Sequence, residues 1–177
     1  RSWAEWLSRI PIWIDDQSSP SVSMIRSKVQ RWRAQHAKDK AIIAIDYLQL
    51  VKPHRGKGEM FNPEREIADI AKGLKAIAKD LHVPVVALAQ LSRAVEQRPA
   101  KHRRPVPSDL RGSGFIEQVA DRIDLIYREE VYHKNTPNVG IAEIITAKHR
   151  NGPTGTTRLR FDATCTRFDD EYPVEST

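Results

Sequence analysis

A chain of 177 residues, 40% apolar and 29% charged, has the size and balance of one globular domain, able to bury roughly 70% of the surface its unfolded form exposes. Its 29 lysines and arginines against 23 acidic residues leave a formal charge of +6, which favours an anionic partner without naming one. The single cysteine, Cys165, excludes an intramolecular disulfide framework and reads as a small packed side chain, while no apolar run approaches the roughly 18 residues of a membrane span, so no membrane association is expected.

The chain begins on Arg1 rather than Met. Ser2 stands three residues before Glu5, the spacing of a capping box, so a short helix is expected to start at once. Nothing there has the basic start, apolar stretch and small-residue cleavage site of a signal peptide. A fragment whose upstream part is missing is the expectation. IPIWIDD (10–16) reads as a short strand, and Ser19 before Pro20 predicts a helix N-cap. Val22, Ile25, Val29 and Trp32 then recur at helical spacing, with Arg26, Lys28, Arg31 and Arg33 mostly elsewhere around the helix. Such a basic face is more often merely solvated.

AIIAID (41–46) has the apolar continuity of a strand covered on both faces, and it stops on a carboxylate, Asp46. In sheets of this kind ligands collect at the carboxyl ends of the strands, where a carboxylate can hold magnesium beside nucleotide phosphates. The matching phosphate-binding loop, G-x-x-x-x-G-K-[ST], occurs nowhere in the chain, so only half of a nucleotide site is legible. After a polar loop from Pro53, Asn62 and Pro63 open a strong helix with an apolar stripe of Ile67, Ile70, Ala71, Leu74, Ile77, Ala78 and Leu81. Strand character returns at VPVVALAQ (83–90), giving strand, helix, strand and hence a parallel pair with a right-handed crossover.

The segment from Arg98 to Gly114 is long and rich in Pro and Gly, with Arg98, Lys101, Arg103, Arg104 and Arg111 against Asp109 alone. Lysine and arginine neutralise phosphates and glycine lets main-chain N–H groups approach closely, so this loop has the composition of a nucleic-acid backbone contact, although a solvated charge run shares that composition. Without aromatic residues before Phe115 it offers no base-stacking platform, and binding would be weakly sequence-specific. Shorter strands follow at 121–128, 140–148 and 156–162. One α/β domain over 1–177 is the expected organisation.

On residue physics alone, Asp46 is equally a polar residue closing a strand, and Gln90, ending the adjacent strand, equally caps a turn. Together they place polar groups at two neighbouring carboxyl ends, as a shared site requires. Lys148 and Arg150 are two apart at a strand end, so extended geometry points both the same way. They are either an anion-directed pair or exposed charges entering the turn at Asn151, Gly152 and Pro153.

Taken together, IIAIDYLQL (42–50), VPVVALAQLSRAVEQR (83–98), SDLRGSGFIEQVAD (108–121), AKHRNGPTGT (147–156) and TRFDD (166–170) resemble the C-terminal motor domain of DnaB-type replicative DNA helicases in order and spacing. The resemblance spans nearly the whole chain. It implies a RecA-like, mostly parallel twisted sheet flanked by helices and incomplete at its N-terminal side, in a bacterial or phage cytoplasmic ATPase that forms a ring, a hexamer, around single-stranded DNA. Primase and a helicase loader would be its partners, and ATP with Mg²⁺ its nucleotide and metal. Carried over, the resemblance makes Asp46 the Walker B carboxylate serving magnesium and Gln90 a sensor between nucleotide and DNA. Lys148 and Arg150 become the pair inserted into the neighbouring subunit's nucleotide site. Arg111, Gly112 and Gly114 fall in the DNA-backbone loop, with Arg103 and Arg104 in the basic approach to it.

Two positions depart from the family pattern. Gly112 stands where Glu is usual, which removes the side chain for one contact or intersubunit pairing of the DNA loop and leaves a main-chain contact open. Val119 stands where Asp is usual, for which a change of local packing only is expected. The family's phosphate-binding loop and catalytic glutamate would precede SRIPIWIDD (8–16), so this chain by itself is expected not to hydrolyse ATP. Rival readings are a non-catalytic DNA-binding or ring-assembly module, a RecA-like recombinase and a primase-helicase.

Overall fold

The computed structural model describes residues 5–6, 8–53, 62–99, 102–110 and 113–171. Glu5 and Trp6 are helical, while Ser2 of the expected capping box lies outside the described residues. The expected strand at 10–16 does not form. Alternating apolar residues make a strand only where a neighbouring backbone pairs with them, and here the segment is held by side chains instead: Trp13 stands edge-on to Trp32 and His36, and Asp15 accepts from Lys28 at 2.5 Å.

The first long helix, α1 (Val22–Gln35), is capped by Ser21 rather than Ser19. The Ser21 hydroxyl accepts the Met24 N–H at 3.3 Å, whereas the Ser19 hydroxyl donates to the Leu50 carbonyl at 3.0 Å. The Pro20 carbonyl accepts the Lys52 N–H at 2.9 Å, which keeps the chain extended until Val22.

Strand β1 (Ile43–Ile45), helix α2 (Pro63–Asp80) and strand β2 (Val85–Ala87) then build the expected parallel unit, in register Ile43↔Val85, Ala44↔Val86 and Ile45↔Ala87. The Asn62 side chain caps α2 by accepting the Arg65 N–H at 3.1 Å. One core gathers Ile70, Leu74 and Ile77 of α2, Ile25 of α1, and Leu48 and Val51, with Ile43, Ile45 and Val85 packed against it. Burial of each such side chain contributes about 1.5–3 kcal/mol before ordering costs. Gly73 marks the contact of the two helices, since a Cβ there would lie 2.6 Å from Val22 Cγ1.

Coverage of β1 on both faces is not observed. Ile42, Val86 and Leu88 are 69%, 52% and 52% exposed and Ala44 is exposed with them, because among the described residues helices cover only the side of Ile43, Ile45 and Val85. Among the described residues the parallel pairing comprises β1 with β2 and one isolated parallel bridge between Ser21 and Lys52.

Helix α3 (Ser113–Val119) leads into an antiparallel sheet ordered β3 (Arg122–Tyr127), β4 (Ile141–His149), β5 (Gly155–Asp162) and β6 (Arg167–Asp170). Ile123, Leu125 and Tyr127 alternate inward and join Leu110 and Ile145 in a second core; Ala89 and Ile116 touch both cores. Strand β6 carries charge at three of its four positions, so alternation does not reveal it. Cys165 is exposed rather than packed, because it sits at the tip of the tight β5–β6 turn, where the Asp162 carboxylate accepts the Thr164 N–H at 2.9 Å.

The connector after β2 is anchored by a charge pair. Asp109 is 2% exposed, and its carboxylate takes both Arg98 guanidinium nitrogens and the Val106 N–H at 2.9 Å. Arg98→Ala leaves a buried carboxylate with one donor and is expected to cost about 3 kcal/mol. Asp109→Asn keeps the shape and strands only a guanidinium whose side chain is 34% exposed, so it should cost clearly less. Urea unfolding of the two variants measures this, and equal losses would contradict the asymmetry.

Candidate nucleotide site and basic clusters

The β1–β2 pair brings Asp46 and Gln90 to one edge. The Ile45 carbonyl accepts the Leu88 N–H at 3.0 Å and the Leu88 carbonyl accepts the Leu48 N–H at 2.8 Å, so the chain leaving β1 turns through Leu48–Leu50 against the end of β2. The intervening Asp46–Tyr47 peptide is cis. Gln49 then clamps Gln90 from both sides: its amide donates to the Gln90 carbonyl and accepts the Gln90 N–H, each at 3.5 Å. Sequence reasoning missed Gln49; one polar residue interrupting L-Q-L is the signal that marks it.

Asp46 is exposed, and its carboxylate makes no hydrogen bond or ion pair among the described residues; the Gln90 side-chain amide is likewise free there. An unpaired carboxylate at a strand end suits a hard cation. No cluster of three or more His, Cys, Asp or Glu encloses a metal among the described residues. Magnesium commonly takes one or two carboxylates and completes its octahedron with waters and phosphate oxygens, so a lone Asp46 fits that partial role.

Lys148 and Arg150 do converge, on the C-terminal end of α3. Lys148 Nζ donates to the Glu117 carbonyl, and Arg150 donates to the Gln118 carbonyl at 2.7 Å and to the Asp121 carboxylate at 3.3 Å. Cations suit a helix C-terminus because its last carbonyls are otherwise unpaired and carry the negative end of the dipole. Asp121 also accepts from Lys75 of α2. That hydrogen bond, followed by the charges of Lys75, Arg150 and Lys148, holds the Asp121 carboxyl below the usual carboxylate range. Among the described residues no hydrogen bond or ion pair joins Lys148 or Arg150 to Asp46.

The basic connector is partly committed within the chain. The Arg104 guanidinium donates to Glu143 at 2.9 Å and to the Thr156 hydroxyl at 3.0 Å. Arg103 donates to the Arg98 carbonyl at 2.8 Å and lies 5.4 Å from the Tyr132 ring centroid. Gly114, in the first turn of α3, is exposed with open space around its Cα. Lys101, Arg111 and Gly112 lie outside the described residues.

A short parallel pair backed by helices, followed by an antiparallel sheet, is part of a RecA-like α/β fold, and two solved structures align with it. One, an ATPase domain, aligns with a TM-score of 0.88 at 39% identity, over 96% of this chain and 58% of its own. The other, a DnaB-like replicative helicase solved in a study of its interactions with primase, aligns equally well at 39% identity, over 96% of this chain and 40% of its own. The DnaB-like helicase C terminal domain family model matches residues 1–170, and the chain belongs to that family. The replicative DNA helicase DnaB of Buchnera aphidicola subsp. Schizaphis graminum is 48% identical over 93% of this chain, and that of Geobacillus stearothermophilus 47% over 88%. The chain spans about a third of the length of these relatives, 34% and 33%.

Proposed function

We propose that this chain is the C-terminal part of the ATP-driven motor of a replicative DNA helicase, acting as one domain within a ring, a hexamer by family resemblance, that translocates on single-stranded DNA in the cytoplasm. The observation that carries this is the division of the site. Asp46 and Gln90 share one strand edge, while Lys148 and Arg150 gather on the end of α3 without bonding to Asp46. Two half-sites that share no hydrogen bond or ion pair among the described residues can meet between neighbouring copies, and a nucleotide between copies would couple hydrolysis to movement around the ring. In this reading Asp46 holds Mg²⁺ on ATP, the ion neutralising charge on the phosphates, and Gln90 reports the nucleotide to the loop that follows it. Lys148 and Arg150 serve the adjacent copy. The membership of primase and a loader in the assembly rests on the family and on the primase study of the DnaB-like neighbour.

Arg111, Gly112 and Gly114 are assigned to the DNA backbone, with Arg103 and Arg104 beside them. Fluorescence anisotropy of the full-length protein on labelled single strands tests this assignment. A motor tightens on DNA when an ATP analogue is added, whereas a passive module binds equally with or without it. Log affinity should fall by about 0.7 for each phosphate contacted per log unit of salt, and Arg111→Ala should reduce that slope by about the same amount for every sequence tried. Arg104→Ala should change it less, since Glu143 already holds that guanidinium. Nucleotide-independent binding, or a sequence-selective loss, would sink the reading.

A further inference from the structure

Asp121 occupies a junction of three elements. It lies between α3 and β3, across the ladder end from Arg150, whose N–H donates to the Asp121 carbonyl at 2.9 Å. The Arg150 guanidinium bonds one oxygen of the Asp121 carboxylate at 3.3 Å and the Gln118 carbonyl at 2.7 Å, while Lys75 Nζ takes the other carboxylate oxygen. Lys75 belongs to α2, the helix whose Ile70, Leu74 and Ile77 sit in the core on which β1, the strand leading to Asp46, packs.

Stability does not account for this cluster. The Asp121, Arg150 and Lys75 side chains are 55%, 48% and 29% exposed, and ion pairs of that exposure add little. What the cluster does supply is aim. A guanidinium pinned through its own backbone N–H and through two of its five N–H donors has few poses left, and the remaining donors stay open to an anion. Correct placement of such a group before reaction removes an entropic cost that otherwise falls in the transition state.

We propose that Asp121, fixed by Lys75, is a positioning residue for Arg150. It sets the direction of the guanidinium that one copy delivers to the next and ties that direction to the helix packed behind the delivering copy's own Asp46 strand. This rests on the reading of Arg150 as a group acting on the neighbouring copy.

Mixed oligomers of the full-length protein separate the two claims. Subunits with Asp46→Ala keep the arginine but lack the metal carboxylate; subunits with Arg150→Ala keep the carboxylate but lack the arginine. Mixing two inactive preparations should restore ATP turnover if Arg150 acts between copies, and failure to restore it sinks that reading. Adding Asp121→Asn to the Asp46→Ala subunit should lower the restored kcat by roughly tenfold to a hundredfold with KM for ATP unchanged. Adding it instead to the Arg150→Ala subunit should leave the restored rate as it was, which also serves as the folding control. Lys75→Ala on the arginine-donating subunit should act in the same direction as Asp121→Asn. Restoration with no effect of Asp121→Asn on the donor, or an equal loss whichever subunit carries it, overturns the positioning role.

Discussion

Arg150→Ala in the full-length protein is expected to lower the kcat for ATP hydrolysis by about 10³ to 10⁵, the range over which an arginine supplied to a transferring phosphoryl group acts. KM for ATP should change little, because charge on the transferring group and its neighbours is redistributed as the reaction proceeds, and a group that meets that charge only then contributes nothing to ground-state binding. Arg150→Lys keeps the charge but loses the planar fork that bonds Asp121 and Gln118 together, and should recover only a small part of the rate. Steady-state ATPase measurements with saturating single-stranded DNA provide the comparison. A variant that keeps its kcat while KM rises would show that Arg150 binds nucleotide in the ground state instead.

Asp46→Ala should lower hydrolysis by about 10² to 10³, which corresponds to the several kcal/mol of charge stabilisation associated with a correctly held metal. The loss should be partly relieved by raising the magnesium concentration, since water can take the place of one missing carboxylate at reduced affinity. Asp46 is exposed and makes no bond within the described chain, so the thermal midpoint of the variant should match that of the parent. Arg98→Ala offers the contrast: its guanidinium is engaged by the buried Asp109, so the variant should lose stability while sparing turnover at low temperature. A marked fall in thermal midpoint for Asp46→Ala would mean that its carboxylate supports the strand edge rather than a metal.

The partners that Asp46 and Arg150 find, none among the described residues for the Asp46 carboxylate and the end of α3 for Arg150, show where sequence and tertiary structure divide the information. Periodicity is local, so the apolar stripe of α2, the alternation of β3 and the abrupt end of β1 at Asp46 are legible in order along the chain. The two-residue spacing that sends Lys148 and Arg150 the same way is local too, and both side chains do reach one helix end. Family resemblance supplied the roles proposed for these residues, through motifs whose order and spacing no single segment carries.

Which charges are spent and which are free was decided only by the tertiary structure. Arg98, Arg103, Arg104 and Asp109 read alike as members of a polar loop, yet Asp109 buries itself under Arg98 and Arg104 finds Glu143, 39 residues away. Asp121 meets Lys75 across 46 residues and Lys148 meets the Glu117 carbonyl across 31, distances along the chain over which no periodic pattern operates. The same holds for the segment 10–16, whose apolar alternation promises a strand but finds no backbone to pair with, and for Cys165, carried outward by a turn. Local sequence determined the long helices and which side chains share a face, because backbone sterics and burial act residue by residue. A strand also needs a neighbouring backbone, which β6 finds and the segment 10–16 does not. The pairing of each polar group was set by which elements the fold brings side by side, since a hydrogen bond or ion pair depends on its partner's position and not on either residue's neighbours in sequence.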